Sequence, residues 1–343
     1  MATRYGDRWE VIESLGEGGQ ALTFLVRDIN GTSETKYVLK RLKNHNRIER
    51  FKREIETIRN LSHENIVNLI DFDFEASKPF LVTEYCVGGS LATSEPTWQD
   101  NPVKALGIFQ QICRGVAYAH AQNIIHRDLK PDNIFLRATG GPAVVGDFGI
   151  CYLLEDGTRL TLTEEAVGPR IFMAPELEDG RLEAISDKSD TYALGKILYW
   201  LLSGGKIFSR EKHRDPQWDL KGKNPDTLLG WDNIYLEHVN RLLDLMIVYE
   251  PEGRRSVENI LTLSTQVTRL VQKEFPPISK DIARPCTYCG VGYYVKRASD
   301  NTDVYNFGFT PVGNPNWRIF TCNECGHMQA FRVDMAKKKE WWE

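Results

Sequence analysis

The chain of 343 residues has no long apolar run, no basic excess and no apolar opening segment. Each absence removes a class of function. The longest apolar stretch, around Tyr192–Leu202, is interrupted by Lys196 and falls short of the roughly 20 residues that a bilayer-crossing helix needs. The opening Met1-Ala2-Thr3-Arg4-Tyr5-Gly6 lacks an h-region, so the expectation is no secretory signal, no membrane partner and a soluble cytoplasmic setting. With 43 Lys/Arg against 47 Asp/Glu the net charge is −4, which provides no general basic field for nucleic acid. There is no internal repeat and no low-complexity segment. What is present is 41% apolar residues, too many for a disordered chain, in a length that suggests about two domains.

Seven cysteines is an odd number, and their placement matters more than the count. Cys86, Cys113 and Cys151 are scattered. Cys286/Cys289 and Cys322/Cys325 form two C-x-x-C pairs, a spacing that favours a metal over disulfides in a chain without an export signal.

Strand-like runs occupy Trp9–Leu15, Ala21–Asp28, Lys36–Leu42, Ile66–Phe72 and Pro79–Tyr85, separated by turn clusters. Between them Ile48, Phe51, Ile55 and Ile58 recur at helical spacing over Ile48–Asn60. Beyond Val103 the pattern is helical: Leu106–His120, Thr191–Leu202, Val239–Tyr249 and Val257–Glu274. A strand-rich part followed by a helix-rich part predicts two lobes joined near residue 86, and Pro276-Pro277 marks a second boundary.

Gly16-Glu17-Gly18-Gly19-Gln20-Ala21 lies between two strand patterns, and glycines there let backbone N–H groups approach phosphates. Alone, the run is a weak signal that reads first as a glycine-rich hairpin turn. Lys40 ends the next-but-one strand and Glu54 lies in the following helix. Then come His126-Arg127-Asp128-Leu129-Lys130-Pro131-Asp132-Asn133, Asp147-Phe148-Gly149 and Ala174-Pro175-Glu176, in order.

With these motifs, residues 9–272 resemble the eukaryotic-type protein kinase family, and Lys130 after Asp128 resembles its serine/threonine branch. The resemblance implies an α+β two-lobed fold, with a small β-rich lobe over 1–86 and a helical lobe over 87–275. It implies transfer of the γ-phosphoryl group of Mg-ATP to a protein hydroxyl. Asp128 would accept the substrate proton, and Lys130 would neutralise γ-phosphate charge. Lys40 would hold the α/β-phosphates and itself be held by Glu54. Asn133 and Asp147 would hold Mg²⁺. Gly16, Gly18, Gly19, Ala21, Thr23 and Val38 would enclose the nucleotide. Glu84 and Cys86 would meet the adenine edge, with Thr83 behind it. His126, Phe148, Ile58 and Leu69 resemble the family's stacked spine. Asp190 resembles its brace for the catalytic loop, and Arg254 the partner of Glu176. This chain departs from the usual pattern at Ala21 (third glycine), Thr23 (valine), Val38 (alanine) and Pro169 (threonine). The competing reading is a catalytically weak nucleotide-binding scaffold.

Arg127 would gather an anionic group from the segment after Asp147. Thr158, Thr161 and Thr163 are the candidates for phosphorylation, whereas Glu164 or Glu165 could supply the charge unmodified.

Cys286-Thr287-Tyr288-Cys289-Gly290 and Cys322-Asn323-Glu324-Cys325-Gly326 resemble the two knuckles of a zinc ribbon, four sulfurs closing a structural Zn²⁺ site. The ribbon is expected over about 283–334, with strands at Val291–Arg297, Arg318–Thr321 and Ala330–Val333, inside a segment 276–343 that also holds a linker and a tail. His327 could compete as a ligand but reads better as a turn residue. Residues 283–343 carry 8 Lys/Arg, 6 Asp/Glu and 11 aromatics, which favours a protein-docking or packing module over nucleic-acid binding. Substrate proteins and ATP are the expected partners.

Overall fold

The computed structural model describes residues 3–17, 21–31, 34–44, 46, 48–98, 101–148, 170–220, 233–272, 282–286, 293–296, 317–322 and 325–332. The chain divides into two compact units, one of residues 1–229 with 243–261 and one of 230–242 with 262–343.

The first unit opens with a six-stranded antiparallel sheet: β1 (Arg4–Tyr5), β2 (Trp9–Glu17), β3 (Ala21–Asp28), β4 (Lys36–Leu42), β5 (Leu69–Asp73) and β6 (Phe80–Glu84), in the order β1-β2-β3-β4-β6-β5. Strand alternation explains how β4 serves two environments. Leu39 faces a core with Tyr5, Trp9, Val26, Phe80 and Val82. Leu42 belongs to the opposite face, where Leu81 meets Phe51 and Ile55 of helix α1 (Ile48–Ile58). Val38 and Lys40 share that second face.

The helical part contains α2 (Pro102–His120), the single turn α3 (Pro175–Glu178), α4 (Asp187–Leu202), α5 (Asn233–Met246) and α6 (Val257–Val271). Asn101 caps α2 by accepting from the Lys104 amide at 3.0 Å, and Pro102 occupies a position where a missing N–H costs nothing. Ser186 and Ser189 form a reciprocal cap on α4. Thirteen of the sixteen α4 residues are buried, which accounts for its nearly unbroken apolar run.

The structure moves several expected boundaries. β5 begins at Leu69 rather than Ile66, because Ile66 and Val67 pair instead with Val145; the Val67 amide donates to the Val145 carbonyl at 2.9 Å. α4 starts four residues before the apolar run, since its first turn is polar and held by caps. The hairpin β7 (Ile134–Leu136) with β8 (Ala143–Val145) had no sequence signal, being three residues per strand.

In the second unit, β9 (Ile282–Pro285), β10 (Tyr293–Lys296), β11 (Trp317–Cys322) and β12 (Met328–Arg332) form an antiparallel sheet in the order β12-β11-β10-β9. β9 was not anticipated, and the other three fall at the expected runs. Between β11 and β12 the Cys322 amide donates to the His327 carbonyl at 2.9 Å and Gly326 adopts φ +74°, a left-handed position that suits glycine.

Candidate active site and cysteine cluster

A cavity of about 340 Å³ lies under the six-stranded sheet, between it and the β7–β8 hairpin. Its roof and back follow from strand register. Thr23 pairs with Lys40, Lys40 with Leu81, and Val38 with Thr83, so alternation points all five side chains to one face. Leu15 and Phe135 supply further apolar wall, and Glu84, Tyr85, Cys86 and Gly89 form one side. Ile58 and Phe148 also line the cavity. The mixture is a mostly apolar cleft with a few convergent polar groups, the usual composition of a small-molecule site.

At its polar end Lys40 Nζ pairs with Asp147 Oδ1. Burial would raise the Asp147 pKa, but the Lys40 ammonium outweighs it, helped by His126 and Lys130, so the carboxyl is held below its ordinary value and stays ionised. Asp147 adopts φ 58° and Arg127 φ 67°, left-handed positions that non-glycine residues hold only where surrounding contacts enforce them.

Asp190 and His126 make those contacts. Asp190 at the start of α4 accepts the amides of His126 and Arg127, each at 2.8 Å, and meets His120 Nε2 at 2.7 Å. His126 Nε2 lies 2.8 Å from the Gly146 carbonyl, and its ring centroid is 4.7 Å from that of Phe148. The loop so fixed presents Asp128. Its Oδ2 accepts from Lys130 Nζ at 2.9 Å and from Asn133 Nδ2 at 2.8 Å, while Asn133 also donates to the Asp128 carbonyl at 2.7 Å. The Gly146 amide donates to the Asn133 carbonyl at 2.9 Å, which ties this network to the Lys40–Asp147 end of the cavity.

The structure thus brings together Thr23, Val38, Lys40, Thr83, Glu84, Cys86 and Asp147 around the cavity, and Asp128, Lys130 and Asn133 in one hydrogen-bonded set beside it. Gly16 lies in β2 and Ala21 begins β3. Gly18, Gly19, Thr158, Thr161 and Thr163 lie outside the described residues, as does the Glu54 side chain on α1. Cys86 is buried and its thiol is pushed up to about 12, by burial first and Glu84 second, so it is not a reactive thiolate. Leu69 packs with the α1 cluster. Glu176 and Arg254 form a fully buried pair, Nη1 to Oε1 at 2.6 Å. Sequence reasoning missed His120, Leu15 and Phe135. His120 carried a weak signal, a polar residue ending an amphipathic helix, whereas the other two are ordinary apolar strand residues. Among the described residues no helix is long and apolar enough to cross a membrane.

In the second unit the sulfurs of Cys286, Cys322 and Cys325 lie within 4.8 Å of one another, with Cys286 and Cys325 3.7 Å apart. That separation is too long for a disulfide and close to the edge, about 3.8 Å, of a tetrahedron with Zn–S bonds of about 2.3 Å. The Cys325 amide points to Cys322 Sγ at 3.5 Å and the His327 amide to Cys325 Sγ at 3.4 Å, donors that suit thiolates. His327 therefore serves the turn through its backbone. Cys289 lies outside the described residues.

Comparison with known proteins agrees with the first unit. Serine/threonine-protein kinase PrkC of Bacillus subtilis is 33% identical over 252 residues, which are 69% of this chain and 38% of PrkC. Serine/threonine-protein kinase Pkn1 of Myxococcus xanthus is 34% identical over 214 residues, 59% of this chain and 30% of Pkn1. Human Serine/threonine-protein kinase Nek5 is 30% identical over 203 residues, 57% of this chain and 28% of Nek5. The chain spans about a third of the length of these relatives. Residues 9–264 match the protein kinase domain family, and the chain belongs to that family.

Proposed function

We propose that this chain is an ATP-dependent serine/threonine protein kinase, and the observation that carries the reading is the convergence of the Asp128–Lys130–Asn133 set with the Lys40–Asp147 pair at one end of the cavity. Adenine would occupy the apolar part beside Glu84 and Cys86, with Thr83 behind it. The glycine-rich turn at 16–21 and Lys40 would face the phosphates. Asp147, kept ionised by Lys40, and Asn133, whose amide nitrogen is committed to Asp128 and whose oxygen remains to offer, fit a hard divalent cation. When bound, Mg²⁺ would neutralise phosphate charge that develops during transfer.

Asp128 would accept the proton of a substrate serine or threonine hydroxyl as that oxygen bonds to the γ-phosphorus. The bond to the bridging oxygen of ADP breaks, and the electron pair leaves with ADP. Lys130 and Asn133 aim the Asp128 carboxylate, and Lys130 adds positive charge toward the transferring group. Arg127, Thr158, Thr161 and Thr163 are proposed as regulatory: a phosphate on one of the threonines would order the segment against Arg127. Zn²⁺ held by Cys286, Cys289, Cys322 and Cys325 would close a small ribbon without an open coordination position, a structural site for docking or packing against protein.

The test is transfer of labelled phosphate to a generic protein acceptor by the full chain and by Asp128→Ala, with the sites on the chain itself mapped by mass spectrometry. Loss of a general base removes a factor of about 10²–10⁴, so Asp128→Ala is expected near background while ATP still binds. Equal incorporation by the two proteins would refute the enzyme reading. Full activity without phosphate on 158–163 would refute the regulatory part.

A further inference from the structure

The side of the cavity that would meet adenine is held by a guanidinium that lies outside it. Arg137 follows β7, where its amide donates to the Pro142 carbonyl at 3.1 Å to start the hairpin turn. Its side chain forms a two-pronged contact with Glu84, Nε to Oε2 at 3.0 Å and Nη2 to Oε1 at 2.9 Å. The same guanidinium donates to two carbonyls of the preceding loop, from Nη1 to Glu64 and from Nη2 to Ile66 at 3.1 Å. Hydrogen bonding to Glu84 raises the Arg137 pKa further above its already high value.

The partner decides what this latch does. Glu84 is the last residue of β6 and a wall of the cavity. Its carboxylate is further committed to the Asn68 amide at 2.8 Å. Just after it the chain runs so close to the β7–β8 hairpin that a Cβ on Gly88 would come within 2.4 Å of the Ala138 carbonyl oxygen. The Gly88 amide donates to the Leu136 carbonyl at 2.9 Å. Backbone pairing therefore holds the far end of segment 84–88, and Arg137 holds its near end. The guanidinium joins the sheet-rich part, the hairpin and the 64–66 loop through one rigid, planar group.

Resting on the proposal that this cavity takes ATP, we propose that Arg137 is a positioning residue for adenine recognition, acting through Glu84 to fix the backbone groups that the base would meet. A lysine could keep the charge but not the paired contacts to Glu84 together with two carbonyls, so Arg137→Lys is not a conservative change here.

Calorimetric titration of the full chain with adenosine, and separately with ATP, tests this. Wild type binds both. Arg137→Met is expected to weaken both by the same factor, about fivefold, the worth of one impaired hydrogen bond. Arg137→Lys is expected to weaken adenosine as well, and it carries the test if the methionine variant does not fold. Adding Glu84→Gln to Arg137→Met should cost no further affinity beyond the weaker single variant, because both act on one latch. Wild-type adenosine affinity in either Arg137 variant, whatever its melting temperature, would overturn the inference, as would losses that simply multiply in the double variant. Failure of wild type to bind either ligand would instead refute the nucleotide reading of the cavity, and this inference with it.

Discussion

Arg254 offers a stability prediction that can be worked from contacts. All five of its donors are used: to Glu176 Oε1 at 2.6 Å and Oε2 at 2.8 Å, and to the carbonyls of Val248 at 2.7 Å, Tyr249 at 2.7 Å and Lys188 at 3.1 Å. Both side chains of the pair are 0% exposed. Arg254→Met would leave the Glu176 carboxylate buried with Ser189, at 2.7 Å, as its remaining side-chain donor. Breaking a buried pair by removing one partner costs about 3–5 kcal/mol, and the three carbonyls that lose their donor place this case at the upper end. At about 2–4 °C per kcal/mol for a domain of this size, the melting temperature should fall by roughly 10–20 °C. Replacing both partners by apolar residues, Glu176→Leu with Arg254→Met, removes the stranded charge, so the double variant should lose less than the sum of the single losses. The pH dependence has a definite sign. Burial raises the Glu176 pKa, but the bonds from Arg254 and Ser189 outweigh it and leave it lowered. The pair thus stabilises the fold above the ordinary carboxylate range, and that stability is lost as pH falls through the folded value. In Arg254→Met the carboxyl has lost the group that held it low, so its deficit against wild type should be largest at neutral pH and narrow toward acid. Denaturant unfolding of the four proteins of this cycle, at neutral pH and again at about pH 5, measures each quantity. A loss below about 1 kcal/mol in Arg254→Met, or strict additivity in the double variant, would show that Arg254 is not what offsets the buried Glu176 charge.

Zinc should be released in a ratio of one per chain when the protein is denatured with a colorimetric chelator, and Cys322→Ser should lower that ratio while raising amide exchange across β9–β12; a zinc-free native protein with the same exchange would remove the metal from the fold. Lys196 is 2% exposed on α4, its Nζ donating to the Phe208 carbonyl at 2.9 Å and lying 3.7 Å from the centre of that ring. Burial lowers its pKa from 10.5 to about 7, partly opposed by Glu211. Between those values the unfolded chain holds a proton that the folded chain has released, so folding stability should rise with pH across that window. The difference in unfolding free energy between wild type and Lys196→Met isolates this term from other titrations, and a flat difference from neutral pH to about pH 10 would contradict it.

The residues legible in the sequence were those whose chemistry demands a residue type at a fixed spacing. In the roles proposed for them, Lys40, Asp128, Asn133 and Asp147 could not be exchanged for similar side chains without losing charge or ligand geometry, and they stand in order along the chain. The strand that carries Lys40 and the strands beside it were legible as strand-like runs bounded by turn clusters, and the structure keeps Ala21–Asp28 and Lys36–Leu42 as expected. What escaped was support that acts on backbone across long sequence separations. His120 meets an aspartate 70 residues away, and Arg137 meets a glutamate 53 residues back. Neither pairing has a local pattern. β7 and β8 escaped for the same reason, since three residues cannot show a period. The left-handed Arg127 shows why the missed layer matters. A non-glycine residue at φ 67° is unfavourable, yet it is what lets the segment after His126 turn so that Asp128 faces Lys130 and Asn133. That turn is held by one buried carboxylate, Asp190, which accepts both loop amides and itself depends on His120 for a third donor. Burial alone would push Asp190 toward its protonated form, and the His120 contact is the foremost group lowering its pKa against that burial. The aspartate proposed as the base is thus aimed by an arrangement whose last member, a histidine closing α2, only the folded chain reveals.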